Sequence, residues 1–385
     1  MKIFVFTGAL ILVIVLSSLM ITAFWGGKAE KIPEKPVLIF RDDMTVAEFG
    51  AQNNLPDSLL KKIFGLQTQQ NQQSKLSDHG LSHEEISTKI DQNLALIAES
   101  ESKNWIKIRI KFALWFAFLI FILILVIKAK ITAANRKWFY VAALIIFGIL
   151  LGSDPSPMGT VKDAIVLFGS KRVIFPPRMI ALGAFLLMVI FANKFICSWG
   201  CQLGALQDLI FRFNRNAADT KGIIKQYKIP FVISNSIRIL FFVVFTAIAF
   251  LFATDIVELI DPFKIYNPVH IGLAGGIFIV ALILTSVFVY RPWCHLFCPF
   301  GLVGWFLEKI SLFKINVNYE TCIACNKCAQ ACPSTVMEAI LKRERIIPDC
   351  FACANCIETC PTDSIQLSRR RREKPPKGKF KSKQS

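Results

Sequence analysis

The stretch CIACNKCAQACP, residues 322–333, decides the fold at the C-terminal end of this chain, and its pattern returns as CFACANCIETCP, residues 350–361. Each copy has three cysteines at every third position and a fourth cysteine four residues further on, before a proline. A tight loop with this spacing wraps three thiolates round one 4Fe-4S cube, and the turn carries the fourth thiolate to a second cube. The two copies therefore predict a pair of iron-sulfur clusters.

This spacing is that of bacterial two-cluster ferredoxins, in which the fourth cysteine of each run ligates the other cluster. The predicted ligands of cluster 1 are Cys322, Cys325, Cys328 and Cys360. The predicted ligands of cluster 2 are Cys350, Cys353, Cys356 and Cys332. Structural zinc is the alternative, but zinc usually takes two pairs of cysteines per site, whereas each copy offers three plus one. The spacing favours iron-sulfur clusters and predicts an electron carrier.

The composition places the rest of the chain in a membrane. With 54% hydrophobic residues among 385 and a positive mean hydropathy, the chain is too apolar for a soluble protein. Uncharged apolar runs predict six transmembrane helices, at 3–27, 112–127, 138–153, 179–193, 239–254 and 265–290. The predicted fold class is an all-α polytopic membrane protein with internally duplicated hairpins and a C-terminal α+β two-cluster ferredoxin module.

Lysine and arginine orient the predicted helices, because cytoplasmic loops carry an excess of both. The connections after the second and fourth helices are basic, whereas the loop after the fifth carries Asp255, Glu258 and Asp261 against Lys264. Both termini and the ferredoxin module are therefore predicted on the cytoplasmic side of the inner (cytoplasmic) membrane. Thiols stay reduced on that side, so disulfides are not expected.

Composition shifts divide the chain into five segments. They are an N-terminal membrane anchor (1–27), a small helical extracytoplasmic domain (28–106), a five-helix membrane domain with two Cys-x3-Cys motifs (107–310), the ferredoxin domain (311–367) and a basic disordered tail (368–385). An uncleaved anchor is favoured over a secretory signal, because no small-x-small cleavage pattern stands out. A capping box is predicted at Ser82 and Glu85. The tail suits anionic membrane lipid, and nucleic acid is not an expected partner because few aromatic residues interleave the charge.

The remaining four cysteines form two Cys-x3-Cys motifs at the inner ends of the fourth and sixth predicted helices. Cys197 pairs with Cys201, Cys294 pairs with Cys298, and a glycine lies three residues after each second cysteine. Two copies 97 residues apart indicate duplicated hairpins with approximate two-fold symmetry, which would bring the four thiols together. A third iron-sulfur centre or a mononuclear metal suits these soft ligands, and small buried residues without a ligand role are the alternative. His295 lies next to Cys294 but is not predicted to be a ligand.

Paired Cys-x3-Cys motifs at inner helix ends, followed by a two-cluster ferredoxin domain, resemble the membrane-bound 4Fe-4S polyferredoxins of the NapH, NosR and CcoG type. The similarity covers roughly residues 107–367 and includes the segment PSPMG at 155–159, and the NapH type is the nearest match. The first motif has Gln202 where the family usually has proline, no flavin-attachment motif is visible, and residues 28–106 are an addition. The resemblance implies an electron-transfer subunit of a quinone-linked oxidoreductase complex, passing electrons between the quinone pool and other redox subunits.

Sequence alone leaves the quinone site and two other functions open. The quinone head group is expected either near Lys162 and Asp163 at the outer face or near Trp199 and Trp293 at the inner interface. The same clusters would also serve a copper reductase or oxidase-assembly factor, although methionine clusters that guide soft copper are absent. A membrane redox sensor is the second alternative, but an ordered pair of clusters is more than a sensor needs.

Overall fold

The computed structural model describes residues 2–25, 36–41, 43–66, 73–376 and 378–380. Parts of the predicted anchor, extracytoplasmic domain and tail lie outside the described residues. Helices make up most of the regular structure. Up to the first Cys-x3-Cys motif they are α1 (Lys2–Trp25), α2 (Val46–Gln52), α3 (Asp57–Phe64), α4 (His83–Ser102), α5 (Trp105–Ile127), α6 (Ala133–Ala143), α7 (Pro157–Lys171), α8 (Pro176–Ala192) and α9 (Phe195–Trp199).

The remaining elements complete the membrane helices and add a small sheet. They are α10 (Gln202–Phe213), α11 (Phe231–Phe252), α12 (Val257–Ile260), α13 (Leu273–Phe288), α14 (Pro292–Leu296), α15 (Pro299–Glu308), β1 (Lys314–Val317), α16 (Lys327–Ala331), α17 (Val336–Lys342), α18 (Asn355–Glu358) and β2 (Ile365–Ser368). A π-helical segment, Leu144–Leu150, continues α6. Two compact units result: a larger one within 1–26, 105–166 and 176–385, and a smaller one within 27–104 and 167–175.

The smaller unit is built from α2, α3 and α4. Both α2 and α4 begin with a capping box, formed by Thr45 with Glu48 and by Ser82 with Glu85, so the predicted box at Ser82 is confirmed. The apolar faces of the three helices pack together, and Phe49 is fully buried among them. This core is sufficient to explain why the helices form.

Among the residues that the structure describes, four helical segments are long and apolar enough to cross a membrane. They are Lys2–Trp25, Trp105–Ile127, Ala133–Leu150 and Phe231–Phe252. The other two predicted spans correspond to α8 and α13, which are apolar but have only 17 and 16 residues. The expected count of six spans is therefore not confirmed, because 3-10 turns at Pro262–Tyr266 and Pro268–His270 shorten the last predicted run.

The predicted starts of α5 and α11 were wrong because charged residues lie inside these helices. Lys111 in α5 donates a hydrogen bond to Gly152 O at 2.7 Å. Arg238 in α11 is 1% exposed and donates to Asp349 Oδ2 at 3.0 Å. A buried charge that is paired and hydrogen-bonded is tolerated inside a helix. Apolar runs alone therefore place the first residue of each of these helices too late in the chain.

The 97-residue repeat extends through three successive helices. The segment α8, α9 and α10 begins at residues 176, 195 and 202, and α13, α14 and α15 begin at 273, 292 and 299. Each short helix carries the first cysteine of a motif, and each second cysteine is the N-cap of the helix that follows. The duplication is thus structural as well as sequential.

The ferredoxin module encloses its cysteine loops between two strands. β1 and β2 pair antiparallel, and Ser368 lies opposite Lys314, so the residue that opens the predicted tail belongs to the sheet. Beyond it, Arg372 Nε donates to Ile315 O at 3.1 Å, and Lys379 Nζ donates to Tyr319 O at 2.5 Å. The described part of the tail therefore packs on the module, while residues 377 and 381–385 lie outside the described residues.

Candidate iron-sulfur sites

Two loops hold the ferredoxin cysteines in the same unusual backbone conformation. Non-glycine residues rarely take a positive φ, yet Ala324 and Asn326 have φ of 56° and 58°. The equivalent residues of the second loop, Ala352 and Ala354, have φ of 47° and 65°. Left-handed residues between right-handed ones turn successive N–H groups to one side and form a nest of the kind found at iron-sulfur sites. The repeated strain indicates that both loops are shaped to hold a ligand.

The structure groups the eight ferredoxin cysteines into two sets of three plus one. In the first set, the thiol of Cys328 interacts electrostatically with those of Cys360, Cys322 and Cys325. In the second set, the thiol of Cys356 interacts with those of Cys332, Cys350 and Cys353, and more weakly with that of Cys328 in the first set. All four residues of the second set also line one pocket. Each set offers the four thiolates that a 4Fe-4S cluster needs, so the residues fit the group.

The two sets differ in their exposure to solvent. Cys325 in the first set is exposed, and its other three members are half-buried. In the second set, Cys332, Cys350 and Cys356 are buried. Burial raises the pKa of Cys328 to about 12, so deprotonation there needs a positive partner such as iron. The first set is therefore the one that an external molecule reaches more directly.

The loop of the second set lies directly on the two Cys-x3-Cys halves. The backbone N–H of Lys194 donates to Cys350 O at 3.3 Å, and the indole N–H of Trp199 donates to Ala352 O at 3.3 Å. From the other half, Glu308 Oε1 accepts the backbone N–H of Cys350 at 2.9 Å. These three bonds hold the second cysteine loop against both copies of the repeat.

Phe351 fills the space between this loop and the repeat. Its ring centroid lies 5.4 Å from that of His295 and 5.9 Å from that of Tyr290. The guanidinium carbon of Arg291 lies 4.7 Å from the ring, and the ammonium of Lys194 lies 5.7 Å from it. A buried aromatic ring next to Cys350 thus connects the cysteine loop with both motif segments.

The four cysteines of the Cys-x3-Cys motifs come together in the core. All four are buried, and the thiol of Cys294 interacts electrostatically with those of Cys298, Cys201 and Cys197. Sγ of Cys298 accepts the backbone N–H of Gly301 at 3.4 Å, and Cys201 has the same bond from Gly204. Two thiols therefore lie at helix N-termini, where N–H groups stabilise negative charge.

The glycines that follow each motif are required by close approach. A Cβ at Gly204 would lie 2.2 Å from Cys197 O, and one at Gly301 would lie 2.7 Å from Cys294 O. Real Cβ atoms essentially never come this close to another heavy atom. A glycine follows each second cysteine by three residues in the sequence, and in the structure it lets each second helix pack on the first cysteine.

Buried cations, which the sequence analysis did not identify as functional, hold the same carbonyl groups. Arg291 donates to Cys197 O at 2.6 Å, and Arg238 approaches Cys294 O at 3.4 Å. Arg291 is paired with Asp208 at 2.5 Å. The position equivalent to Asp208 in the second half is Trp305. One sequence signal could have identified two of these cations: Lys194 and Arg291 each lie three residues before the first cysteine of a motif.

The second half of the repeat has no carboxylate at the position equivalent to Asp208. The ferredoxin module provides a carboxylate there instead, that of Asp349. Asp349 forms ion pairs with Lys194 and, at 3.0 Å, with Arg238, and all three side chains are at most 1% exposed. His295 Nδ1 lies 3.8 Å from the same carboxylate. His295, for which the sequence predicts no ligand role, lies in the contact between the module and the repeat.

A second buried network joins α6 to the second cysteine loop. Arg136 donates to Asp219 at 2.6 Å, to Asn355 at 2.9 Å and to Cys353 O at 3.0 Å. Its guanidinium also pairs with Glu358 at 2.9 Å. Arg136, which belongs to the basic connection after the second predicted helix, thus positions the second cysteine loop.

The two predicted quinone regions differ in whether their polar groups are paired. Lys162 is 6% exposed and lies 2.9–3.2 Å from carboxylates of Asp163, Asp255 and Glu258. The indole N–H of Trp199 is bonded to the ferredoxin loop, whereas that of Trp293 is buried without a hydrogen-bond partner among the described residues. Lys162 and the Trp199 indole are thus engaged in internal contacts, whereas the Trp293 indole N–H is not.

In the part of the chain that the structure describes, no group of three or more Cys, His, Asp or Glu side chains is placed to hold one metal ion. This applies to the ferredoxin cysteines as well as to the four motif cysteines.

Comparison with known families defines the class of protein. Residues 314–361 match the 4Fe-4S dicluster domain. Residues 174–217 and 271–318, which contain the two Cys-x3-Cys motifs, match the 4Fe-4S binding domain. The chain is thus an iron-sulfur protein of the 4Fe-4S type with several membrane-length helices, and electron transfer is the class of function that these domains support.

Two curated proteins are similar to the chain. A candidate electron transport protein of Escherichia coli (strain K12), YccM, is 30% identical over 178 residues, which are 44% of this chain and 49% of YccM. An uncharacterized protein of Methanocaldococcus jannaschii, MJ0749, is 24% identical over 208 residues, 52% of this chain and 73% of that protein. The chain thus spans about half the length of YccM. No solved structure matches it.

Proposed function

We propose that this chain is a membrane-bound electron-transfer protein that passes electrons between the quinone pool and a redox partner. The observation that carries the proposal is the docking of the second cysteine loop on both Cys-x3-Cys halves through Lys194, Trp199 and Glu308. The name of YccM, which refers to electron transport, agrees with it. When bound, the clusters supply one-electron redox chemistry.

The chain's own residues give this transfer an order. Cys332, Cys350 and Cys356 are buried against the membrane helices, whereas Cys325 is exposed. Cluster 2 is therefore the membrane-side site and cluster 1 the site that faces a partner. Phe351 and the cations Lys194 and Arg291 exclude water from the intervening space and supply positive charge where negative charge accumulates.

Cys197, Cys201, Cys294 and Cys298 are proposed to hold a third iron-sulfur centre on the membrane side of cluster 2. Their support is mutual proximity, two helix N-termini and the match of both motifs to a 4Fe-4S binding domain. The glycines at 204 and 301 supply the close packing that keeps the four thiols together.

The membrane arrangement that goes with this function has six spans, with α8 and α13 as the short ones. Residues next to each end extend the apolar length, and local thinning of the bilayer accommodates a short helix at modest cost. The basic connections favour an inner membrane location with the ferredoxin module and both termini in the cytoplasm. Its proposed partners are membrane lipid, a quinone or quinol, and other redox subunits of a membrane complex.

The proposal is tested by anaerobic electron paramagnetic resonance and iron quantification on the detergent-purified chain. About eight irons per chain are expected from two cubes, and a surplus is expected from the third centre. Titration with dithionite and then with a menaquinol analogue should reduce the same signals. Clusters that dithionite reduces and the quinol never reduces would exclude quinol oxidation.

The third centre is tested with the double variant Cys197→Ala/Cys294→Ala. The expected result is loss of the surplus iron, with the ferredoxin signals retained. Ser286→Ala, which also truncates a buried side chain of the second repeat half, is the matched control and should keep the full iron content. Equal iron in all three proteins would show that these thiols only pack.

A further inference from the structure

A basic crevice lies beside the ferredoxin loops, outside the sites described so far. It has a volume of about 660 Å³ and is formed by the connection between α10 and α11, by α16 and by Thr359. Small-molecule and cofactor sites typically have volumes of about 300–1,000 Å³. The crevice is therefore large enough for a nucleotide-sized ligand.

The crevice is adjacent to ligands of both clusters. Lys327 precedes Cys328, and Thr359 precedes Cys360, both of the first set. Pro333 follows Cys332 of the second set. A molecule bound here would contact residues that are the direct chain neighbours of cysteines from each set.

The lining is strongly positive. Arg215, Lys221, Lys228 and Lys327 line the crevice, and no carboxylate lines it among the described residues. Arg215 is partly neutralised by Asp219 at 2.8 Å. Within the described chain, by contrast, the ammonium groups of Lys221 and Lys327 form no salt bridge, and both residues are exposed. Unpaired cations that converge on a concave site favour an anion.

The rest of the lining supplies groups for the uncharged part of a ligand. Tyr227 is 54% exposed and presents an aromatic face. Gln330 and Thr220 add polar groups that donate and accept hydrogen bonds. Lysine is a common phosphate ligand that acts as a point charge. Three lysines line the crevice, and the ammonium of Lys228 also donates a hydrogen bond to Ala329 O at 2.8 Å.

We propose that this crevice binds a phosphate ester, held by Lys221, Lys228 and Lys327 and placed beside both clusters. Two sources share this chemistry: a soluble nucleotide and the head group of an anionic phospholipid. The proposal does not depend on whether a quinone is the electron donor, because it concerns a different face of the ferredoxin module.

A bound phosphate would be coupled to the clusters through its charge. An electron added to either cluster increases the local negative charge, so the reduced protein should bind phosphate more weakly than the oxidised protein. By reciprocity, bound phosphate should lower the reduction potential of the clusters. A tenfold difference in affinity corresponds to about 59 mV for a one-electron couple.

The test uses the full, cluster-loaded chain in a neutral detergent. ADP and FMN are the nucleotide probes, measured by isothermal titration calorimetry, and nanodiscs with phosphatidylglycerol or phosphatidylcholine are the lipid probes. The variant is Lys221→Gln/Lys327→Gln, in which both residues are exposed and the fold should be unaffected. The matched control is Lys128→Gln/Lys130→Gln, which removes two exposed cations elsewhere.

Each outcome decides the proposal. At least tenfold weaker nucleotide binding in the crevice variant, with the control unchanged, supports a nucleotide site. The same loss confined to phosphatidylglycerol supports a lipid head group. The proposal is overturned if no probe binds the parent chain, if both double variants lose affinity equally, or if the affinity for ADP, which dithionite does not reduce, is the same before and after reduction of the clusters.

Discussion

Asp349→Asn hardly changes the volume of the side chain, but it should markedly lower the free energy of unfolding. The reason is that it leaves two buried cations without a counterion. The Asp349 carboxylate pairs with Lys194 and Arg238, and none of the three side chains is more than 1% exposed. Burial raises the pKa of Asp349, but Lys194 and Arg238 outweigh this effect and hold the pKa low, at about 2. The carboxylate is therefore ionised at neutral pH, and asparagine removes a charge while keeping the shape.

The size of the loss in unfolding free energy depends on the hydrogen bonds that the two cations keep. Removing one partner of a buried ion pair costs about 3–5 kcal/mol. Lys194 keeps Gly301 O at 2.5 Å, and Arg238 keeps Asn235 Oδ1 at 2.6 Å, so their hydrogen bonds are not all lost. We therefore expect the lower end, about 3 kcal/mol. Adding Lys194→Met removes one of the uncompensated charges, so the double variant should be about 1–3 kcal/mol more stable than the sum of the single effects.

The measurement is denaturant unfolding of the cluster-loaded protein in detergent, followed by tryptophan fluorescence and by iron-sulfur absorbance. Asp363→Asn, an exposed carboxylate of the same module, is the control and should change stability by less than about 0.5 kcal/mol. The reasoning is refuted if Asp349→Asn behaves like this control, or if the effects of the two single substitutions simply add.

Three further predictions concern other parts of the molecule. Gly204→Ala should lower the free energy of unfolding by about 1–3 kcal/mol, because its Cβ would lie 2.2 Å from Cys197 O. Gly183→Ala, with nothing within 4 Å of its Cβ, should raise it by up to about 1 kcal/mol. Equal thermal unfolding of the two variants would contradict this. Burial raises the pKa of Asp261 to about 6, above an unfolded value of about 3.9, so the stability that this group contributes is present below pH about 4 and lost as pH rises to about 6. Asp261→Asn should therefore flatten the unfolding free energy between those pH values, and a curve parallel to the parent's would count against the assignment. Cys360→Ser should lose about four irons and the signal of the exposed cluster while the buried cluster persists, as checked by iron quantification and paramagnetic resonance; loss of all iron would show that the two sets are not independent.

The ferredoxin cysteines and the repeat were readable from sequence because the determinants are local. Four cysteines with fixed spacing allow few loop conformations, and the nest-forming residues Ala324 and Ala352 occupy equivalent places in both copies. The 97-residue repeat was readable for the same reason, since the cysteines and glycines recur at equal spacing. Local pattern therefore predicted which residues come together within each motif.

The buried ion pairs were not readable because their partners are distant in the chain. Arg238 and Asp349 are 111 residues apart, and Arg136 and Glu358 are 222 apart. Without its partner, an arginine in an apolar run marks a helix end, so α11 was predicted to start too late. The crevice escaped notice for the same reason, because its lysines come from segments about 100 residues apart and only the fold brings them together.

The contact between Lys194 and Asp349, separated by 155 residues, also sets an order for biosynthesis. At about 5–20 residues per second, a ribosome needs about 8–30 s to make the intervening chain. During that time the lysine belongs to a half-made membrane domain whose second repeat and counterion do not yet exist. Final packing of the membrane helices must therefore follow synthesis of the ferredoxin module. The membrane domain thus completes its packing with a carboxylate from a domain that is made after it.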